Sequence, residues 1–196
     1  MKGMIFQADQ NQYGYGNVIS FDEYEMSARL LINEYPLCNF INFDEEGRAT
    51  ENVDVLIGGF GRIGHEVLRK VIANGRFEGS RLNIWIFDPK HGDKTGFIKS
   101  QYSKMFQPPY TEIEIHFASH DVRSSECFSF LKEHASTLKY VVICLEDRDT
   151  ARDIAARMVD RLQSVGHPMN IYTCDSKSIR CYSHDARKCR THWIYE

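Results

Sequence analysis

The chain has 196 residues, enough for one well-packed domain with appendages. Its 24 basic and 27 acidic residues leave a formal net charge of −3, which gives no reason to expect a nucleic-acid partner. No apolar run approaches the roughly 18 residues that span a bilayer, no charged-then-apolar leader opens the chain, and the six cysteines are scattered without a CxxC pair, a usage that fits a reduced, cytoplasmic protein.

Residues 1–19 are polar and turn-rich and predict an irregular arm. Ser20-Phe21-Asp22-Glu23 has the spacing of a capping box, and the helix it opens, FDEYEMSARLLINEY, is stopped by Pro36. Phe21, Tyr24, Leu30, Leu31 and Tyr35 give that helix more apolar surface than water tolerates. They must be covered by the core, a partner chain or another domain. Residues 37–52 read as a connector with an acidic centre at Asp44, Glu45 and Glu46.

Residues 53–64, VDVLIGGFGRIG, are the most informative run. Val53, Val55, Leu56 and Ile57 predict a buried strand. Gly59, Gly61 and Gly64 follow in G-x-G-x-x-G spacing, and HEVLRKVIA continues with helical periodicity. Strand, glycine turn and helix in that order are the context in which the motif means dinucleotide binding. Gly59 permits the tight turn, Gly61 lets the backbone approach a pyrophosphate, and Gly64 lets the helix pack close to the strand. The helix start then offers unpaired N–H groups and a positive dipole end to the phosphates. A second apolar strand, LNIWIFD at 82–88, ends in Asp88, where an acid accepts hydrogen bonds from ribose hydroxyls and repels a 2′-phosphate. Asp88 lies 24 residues beyond Gly64, and the insertion NGRFEGSR at 74–81 accounts for the excess over the usual spacing.

Further strands are predicted at 112–118, 139–145 and 169–173, and helices at 63–74, 123–134 and 149–164, with an irregular helix near 97–105 before Pro108-Pro109. Strands alternating with helices predict an α/β fold: a doubly wound, mainly parallel Rossmann-like sheet behind an N-terminal helical arm. The organisation expected is an arm over 1–52, a nucleotide-binding domain over 53–175, and a tail or the start of a further domain over 176–196. Lys90, His91 and Lys94 follow Asp88 closely enough to reach a phosphate, or to sit in solvent. Arg148, Arg152, Arg157 and Arg161 interleave with acids and read as a solvated helix face.

VDVLIGGFGRIGHEVLRKV, LNIWIFD and YVVICLEDRDTARDIA at 140–155 together resemble the N-terminal lobe of an RCK domain, the Trk-type NAD-binding domain that regulates potassium channels and transporters. The similarity covers about 20–175, SARLLINEYPL at 27–37 included, and is most specific at the glycine turn. It implies a regulatory domain that senses NAD or NADH, or another adenine nucleotide. It also implies a homodimer, in the cytoplasm, attached to a membrane channel or transporter domain outside this chain. The contacts it implies are Gly59, Phe60, Gly61, Arg62, Ile63 and Gly64 in the glycine turn, Asp88, Pro89 and Lys90 after the second strand, His120 and Asp121 in an acidic turn on the adenine side, and Leu145 and Glu146 after the fourth strand. Where the family often carries an Asn near the start of the following helix, this chain has Ala151 and Arg152.

GGFGRIG is also similar to the opening of glyceraldehyde-3-phosphate dehydrogenase. That reading fails because none of Cys38, Cys127, Cys144, Cys174, Cys181 or Cys189 sits in a Ser-Cys-Thr-type turn. Hydride transfer needs an acid or base beside the nicotinamide; His65, His116 and His120 are weak candidates, and a binding module fits better than an oxidoreductase lacking its substrate domain or an empty oligomerisation scaffold. Cys181-x-x-His184 and Cys189-x-x-His192 offer zinc-type ligands, but the loop between the pairs is too short for an ordinary zinc module. They read as surface turns, with Tyr182, Trp193 and Tyr195 packing nearby.

Overall fold

A computed structural model describes residues 2–7, 17–90 and 112–194, with isolated positions at 96, 98, 100 and 103 between them. The helix expected near 97–105, and His91, Lys94 and Tyr195, lie mostly or wholly outside the described residues.

Strand β3 (Val53–Gly58) is buried along its whole length, as a largely apolar central parallel strand requires, and its one charged residue, Asp54, accepts the Asn83 side-chain amide (2.7 Å). Helix α2 (Arg62–Asn74) returns the chain to β4 (Leu82–Phe87), and β5 (Ile113–Ala118) follows at the edge. The chain then crosses to the other side of β3 through α3 (Ser125–Glu133), β6 (Leu138–Ile143), α4 (Arg148–Ser164) and β7 (Ile171–Cys174). The resulting order β5-β4-β3-β6-β7 is parallel throughout and reverses direction between β3 and β6. This is the doubly wound arrangement expected of alternating strands and helices, with each predicted boundary displaced by no more than a few residues.

Beyond residue 175 the chain does not leave the sheet. Strand β8 (Ser178–Tyr182) pairs antiparallel to β7, and β9 (Arg190–Trp193) antiparallel to β8, which makes a sheet of seven strands among the described residues. Asp175 closes the β7–β8 turn: its carboxylate accepts the amides of Lys177 (2.8 Å) and Ser178 (3.0 Å), the Ser178 hydroxyl (3.0 Å) and the Arg148 guanidinium (3.0 and 3.1 Å).

Two corrections fall at the amino end. Residues 1–19 are not simply irregular: β1 (Lys2–Gln7) and β2 (Asn17–Asp22) form an antiparallel pair in register from Lys2↔Asp22 to Gln7↔Asn17. Each is a short run that becomes a strand only by pairing with the other, so composition alone conceals it. The capping box at Ser20 is also displaced. The ladder carries the chain through Asp22, whose side chain accepts the Tyr24 amide (3.0 Å) and caps helix α1 (Glu23–Glu34).

Two apolar clusters sandwich the sheet. On one face α1 and α2 bury Ala28, Leu31, Ile32, Val67, Leu68 and Val71 against β3 and its neighbours; on the other, α3 and α4 bury Leu131, Ile154, Met158 and Leu162. Each of these Leu, Ile, Val and Met side chains contributes about 1.5–3 kcal/mol on leaving water. Leu31 is fully buried, and Tyr24, Leu30 and Tyr35 pack against the same cluster, so the helix meets its apolar requirement within its own chain. It therefore carries no argument for a partner subunit. The cluster also takes in Leu37, Ile179 and Cys181, so residues before 53 and after 175 share a core with the central strands.

Candidate functional site

The carboxyl ends of β3, β4 and β6 open into a cleft of about 370 Å³ at the switch point, the place where ligands bind in open α/β sheets. Its lining comes from the turns after β3 and β4 (Gly59, Gly61, Phe87, Asp88, Pro89 and Lys90) and from the segments after β5 and β6 (Asp121, Val122, Arg123, Leu145, Glu146, Asp147 and Thr150).

The three glycines have separate reasons to lack a side chain. Gly59 sits at φ +94°, and a Cβ there would approach the Cys144 carbonyl oxygen to 2.6 Å. At Gly64 a Cβ would come within 2.2 Å of the Gly59 carbonyl oxygen, so α2 can lie this close to the turn only without one. Gly61 differs: its φ is −77° and nothing lies within 4 Å of where a Cβ would be. It is the N-cap of α2, and no side chain caps the helix. The start of α2, with its positive dipole end, thus borders the cleft at Gly61.

Asp88, only 9% exposed, ties this turn to the end of β4. One carboxylate oxygen accepts the Phe60 amide (2.7 Å) and the other the Lys90 amide (2.7 Å). Asp121 holds Arg123 in a bidentate pair (2.8 and 2.7 Å) and also accepts its amide (2.8 Å), and these contacts keep the Asp121 carboxyl below the usual carboxylate range. Asp147 caps α4 by accepting the Thr150 amide (2.7 Å), and its bonding to Thr150 lowers its carboxyl pKa likewise. Asp88, Asp121, Glu146 and Asp147 outnumber Lys90 and Arg123, so the cleft wall is acidic away from the helix start. Such a wall suits hydroxyl groups and disfavours phosphate beyond what the helix start can hold.

Of the contacts expected from sequence, Gly59, Gly61, Asp88, Pro89, Lys90, Asp121, Leu145 and Glu146 come together around this cleft. Five others do not line it. Phe60 is 3% exposed and packs edge-on against Phe117 and His65; Ile63 is 2% exposed in the core; Gly64 faces the Gly59 carbonyl. Arg62 lies over the Tyr24 ring (4.2 Å) and pairs with Asp22 (3.4 Å), and His120 is exposed to one side. Phe87, Val122, Arg123, Asp147 and Thr150 were not anticipated. Only the Asp147–Thr150 pair had a signal, the N-cap spacing ahead of α4.

None of the three candidate catalytic histidines lines the cleft: His65 is in the first turn of α2 beside Glu66 (3.7 Å), and His116 stacks on Trp85 at 4.0 Å. In the tail, Cys181 is buried in β8, the Cys189 Sγ lies 3.4 Å from the Ser183 amide and carbonyl, and His192 faces Glu34 (3.8 Å) and the Tyr35 ring. Among the described residues no group of three or more His, Cys, Asp or Glu is placed to hold a metal ion, and no helix is long and apolar enough to cross a membrane.

No protein-family model and no curated protein matches this chain.

Proposed function

We propose that the chain is a regulatory domain that binds NAD or NADH in the switch-point cleft. The observation that carries this reading is Gly61: an N-cap with open space around it at the start of a 13-residue helix, in a cleft whose charged lining is mainly acidic. In this reading Gly61 and the first amides of α2 receive the pyrophosphate. Asp88 meets the adenosine ribose while it holds, or in exchange for, the amides of Phe60 and Lys90. The turn at Asp121–Arg123 borders the adenine, and Leu145 and Glu146 border the second nucleoside. Bound nucleotide supplies a signal rather than chemistry. It acts by favouring one of two conformations of the attached protein. The similarity to RCK domains supports a homodimer and a potassium channel or transporter as the output.

Thermal unfolding with NAD, NADH, NADP, ATP and AMP tests the reading. Ligand at 100 times its Kd adds about 2.7 kcal/mol, or roughly 5–10 °C for a domain of this size. NAD or NADH is expected to stabilise the protein more than NADP does. Gly61→Val is expected to abolish that shift while the variant stays folded. Equal stabilisation by NADP would remove the role given to Asp88, stabilisation by ATP or AMP alone would change the ligand, and undiminished binding by Gly61→Val would place the ligand elsewhere.

A further inference from the structure

A second concavity, about 730 Å³, runs between α3 and α4 on the face of the sheet away from α1 and α2. Its walls are two helical stripes of identical spacing. Ser125, Phe128, Ser129 and Lys132 come from α3; Arg157, Asp160, Arg161 and Ser164 come from α4; Arg123 stands at the top. Each stripe runs i, i+3, i+4, i+7, the positions by which neighbouring helices normally pack together. Here three of the eight are serines and four are charged, so the helices leave a groove about two turns long.

The basic residues on and beside these two helices are unevenly committed. Arg148 is engaged by Asp175, Arg152 by Asp149 and Asp153, and Arg123 by Asp121. Lys132, Arg157 and Arg161 pair with no carboxylate among the described residues, although Asp160 lies in the same groove. All three are exposed. The Arg157 guanidinium lies over the Phe128 ring, 4.9 Å from its centre, a cation–π contact within the groove lining. The arginines that read in sequence as one solvated face therefore divide into two that are paired and two that converge on a groove.

We propose that this groove binds a compact oxyanion carrying two or more phosphate groups. Guanidinium, ammonium and hydroxyl groups are donors suited to phosphate oxygens, and an arginine fork meets them two at a time. A protein segment would need apolar anchors, yet the one aromatic ring present is 8% exposed and already covered by Arg157. A nucleic acid would need stacking faces or a longer basic track.

Isothermal titration with sodium tripolyphosphate at low ionic strength tests the assignment. Saturable binding is expected, weakened at least about tenfold, roughly 1.4 kcal/mol, in the double variant Arg157→Gln/Arg161→Gln. Gly61→Val, which removes the nucleotide cleft as a competing phosphate site, is expected to retain the saturable binding that the double variant weakens, so failure here and failure of the NAD reading are separable. Amide shifts at Ser129, Lys132 and Arg161 in the wild-type protein give a second readout independent of how the variants fold. The proposal is overturned by the absence of saturable binding up to about 10 mM, by equal affinity in the double variant, by loss of binding in Gly61→Val, or by tighter binding of a glutamate-rich peptide.

Discussion

Alanine at two glycines of one turn should have opposite consequences. At Gly64 the new Cβ would stand 2.2 Å from the Gly59 carbonyl oxygen, more than 1 Å short of the 3.4 Å at which ordinary contact begins. The obstacle is backbone, so no side chain can swing aside. Either α2 lifts from the turn or the turn distorts, and α2 carries Val67, Leu68 and Val71 in the core. Overpacking of this kind costs about 1–3 kcal/mol, and a backbone obstacle puts Gly64→Ala near the upper end. For a chain of this length, about 3 kcal/mol lowers the melting temperature by roughly 6–12 °C. Gly61→Ala meets no atom within 4 Å and keeps a φ that any residue adopts. Replacing a glycine N-cap with alanine costs up to about 1 kcal/mol, and restricting the unfolded chain returns about 0.4–1 kcal/mol. Its melting temperature should therefore stay close to that of the wild type. Urea and thermal unfolding of both variants, followed by circular dichroism, give the comparison. A Gly64→Ala protein that melts within about 2 °C of wild type, a change under about 1 kcal/mol, would refute the packing assigned to the turn.

Two further outcomes follow from the charges and thiols. Glu25 and Glu51 are bonded to Lys70 and Lys139, and both carboxyls lie below their ordinary value of 4.5. Because folding depresses these values, their contribution is fully present above pH 4.5 and is lost as pH falls through the lowered folded values. The double variant Glu25→Gln/Glu51→Gln should therefore show a shallower acid limb in a plot of melting temperature against pH; an unchanged limb would dismiss both pairs as stabilising. Of the six thiols, Cys38 and Cys189 are exposed and Cys127, Cys144, Cys174 and Cys181 are buried. Burial raises the four buried thiols, Cys127 to about 12 and Cys181 to about 11. Ellman's reagent should titrate two thiols rapidly and four only on unfolding, and a third fast thiol would contradict the core packing.

The parallel core and the glycine turn are legible in the amino-acid order, because both rest on local rules. A short, largely apolar run such as VDVLI reads as a buried strand, and G-x-G-x-x-G between that strand and a helix places the turn at the sheet's carboxyl edge. Asp88 was legible as a cleft residue for the same reason, since it ends the neighbouring strand. The remaining features depend on partners far away in the chain. Whether KGMIFQ is a strand depends on its pairing with NVISFD, and whether residues 178–193 form a tail or two more strands depends on the free edge of β7. Asp22 caps α1 in place of Ser20 because the β1–β2 ladder extends that far. Arg62 left the glycine turn for Asp22 and Tyr24, forty and thirty-eight residues earlier, a choice that spacing around the motif cannot reveal. The α3–α4 groove has the same origin. Each stripe is an ordinary exposed helix face in sequence, and only the crossover that sets the two helices side by side brings Lys132, Arg157 and Arg161 around one space.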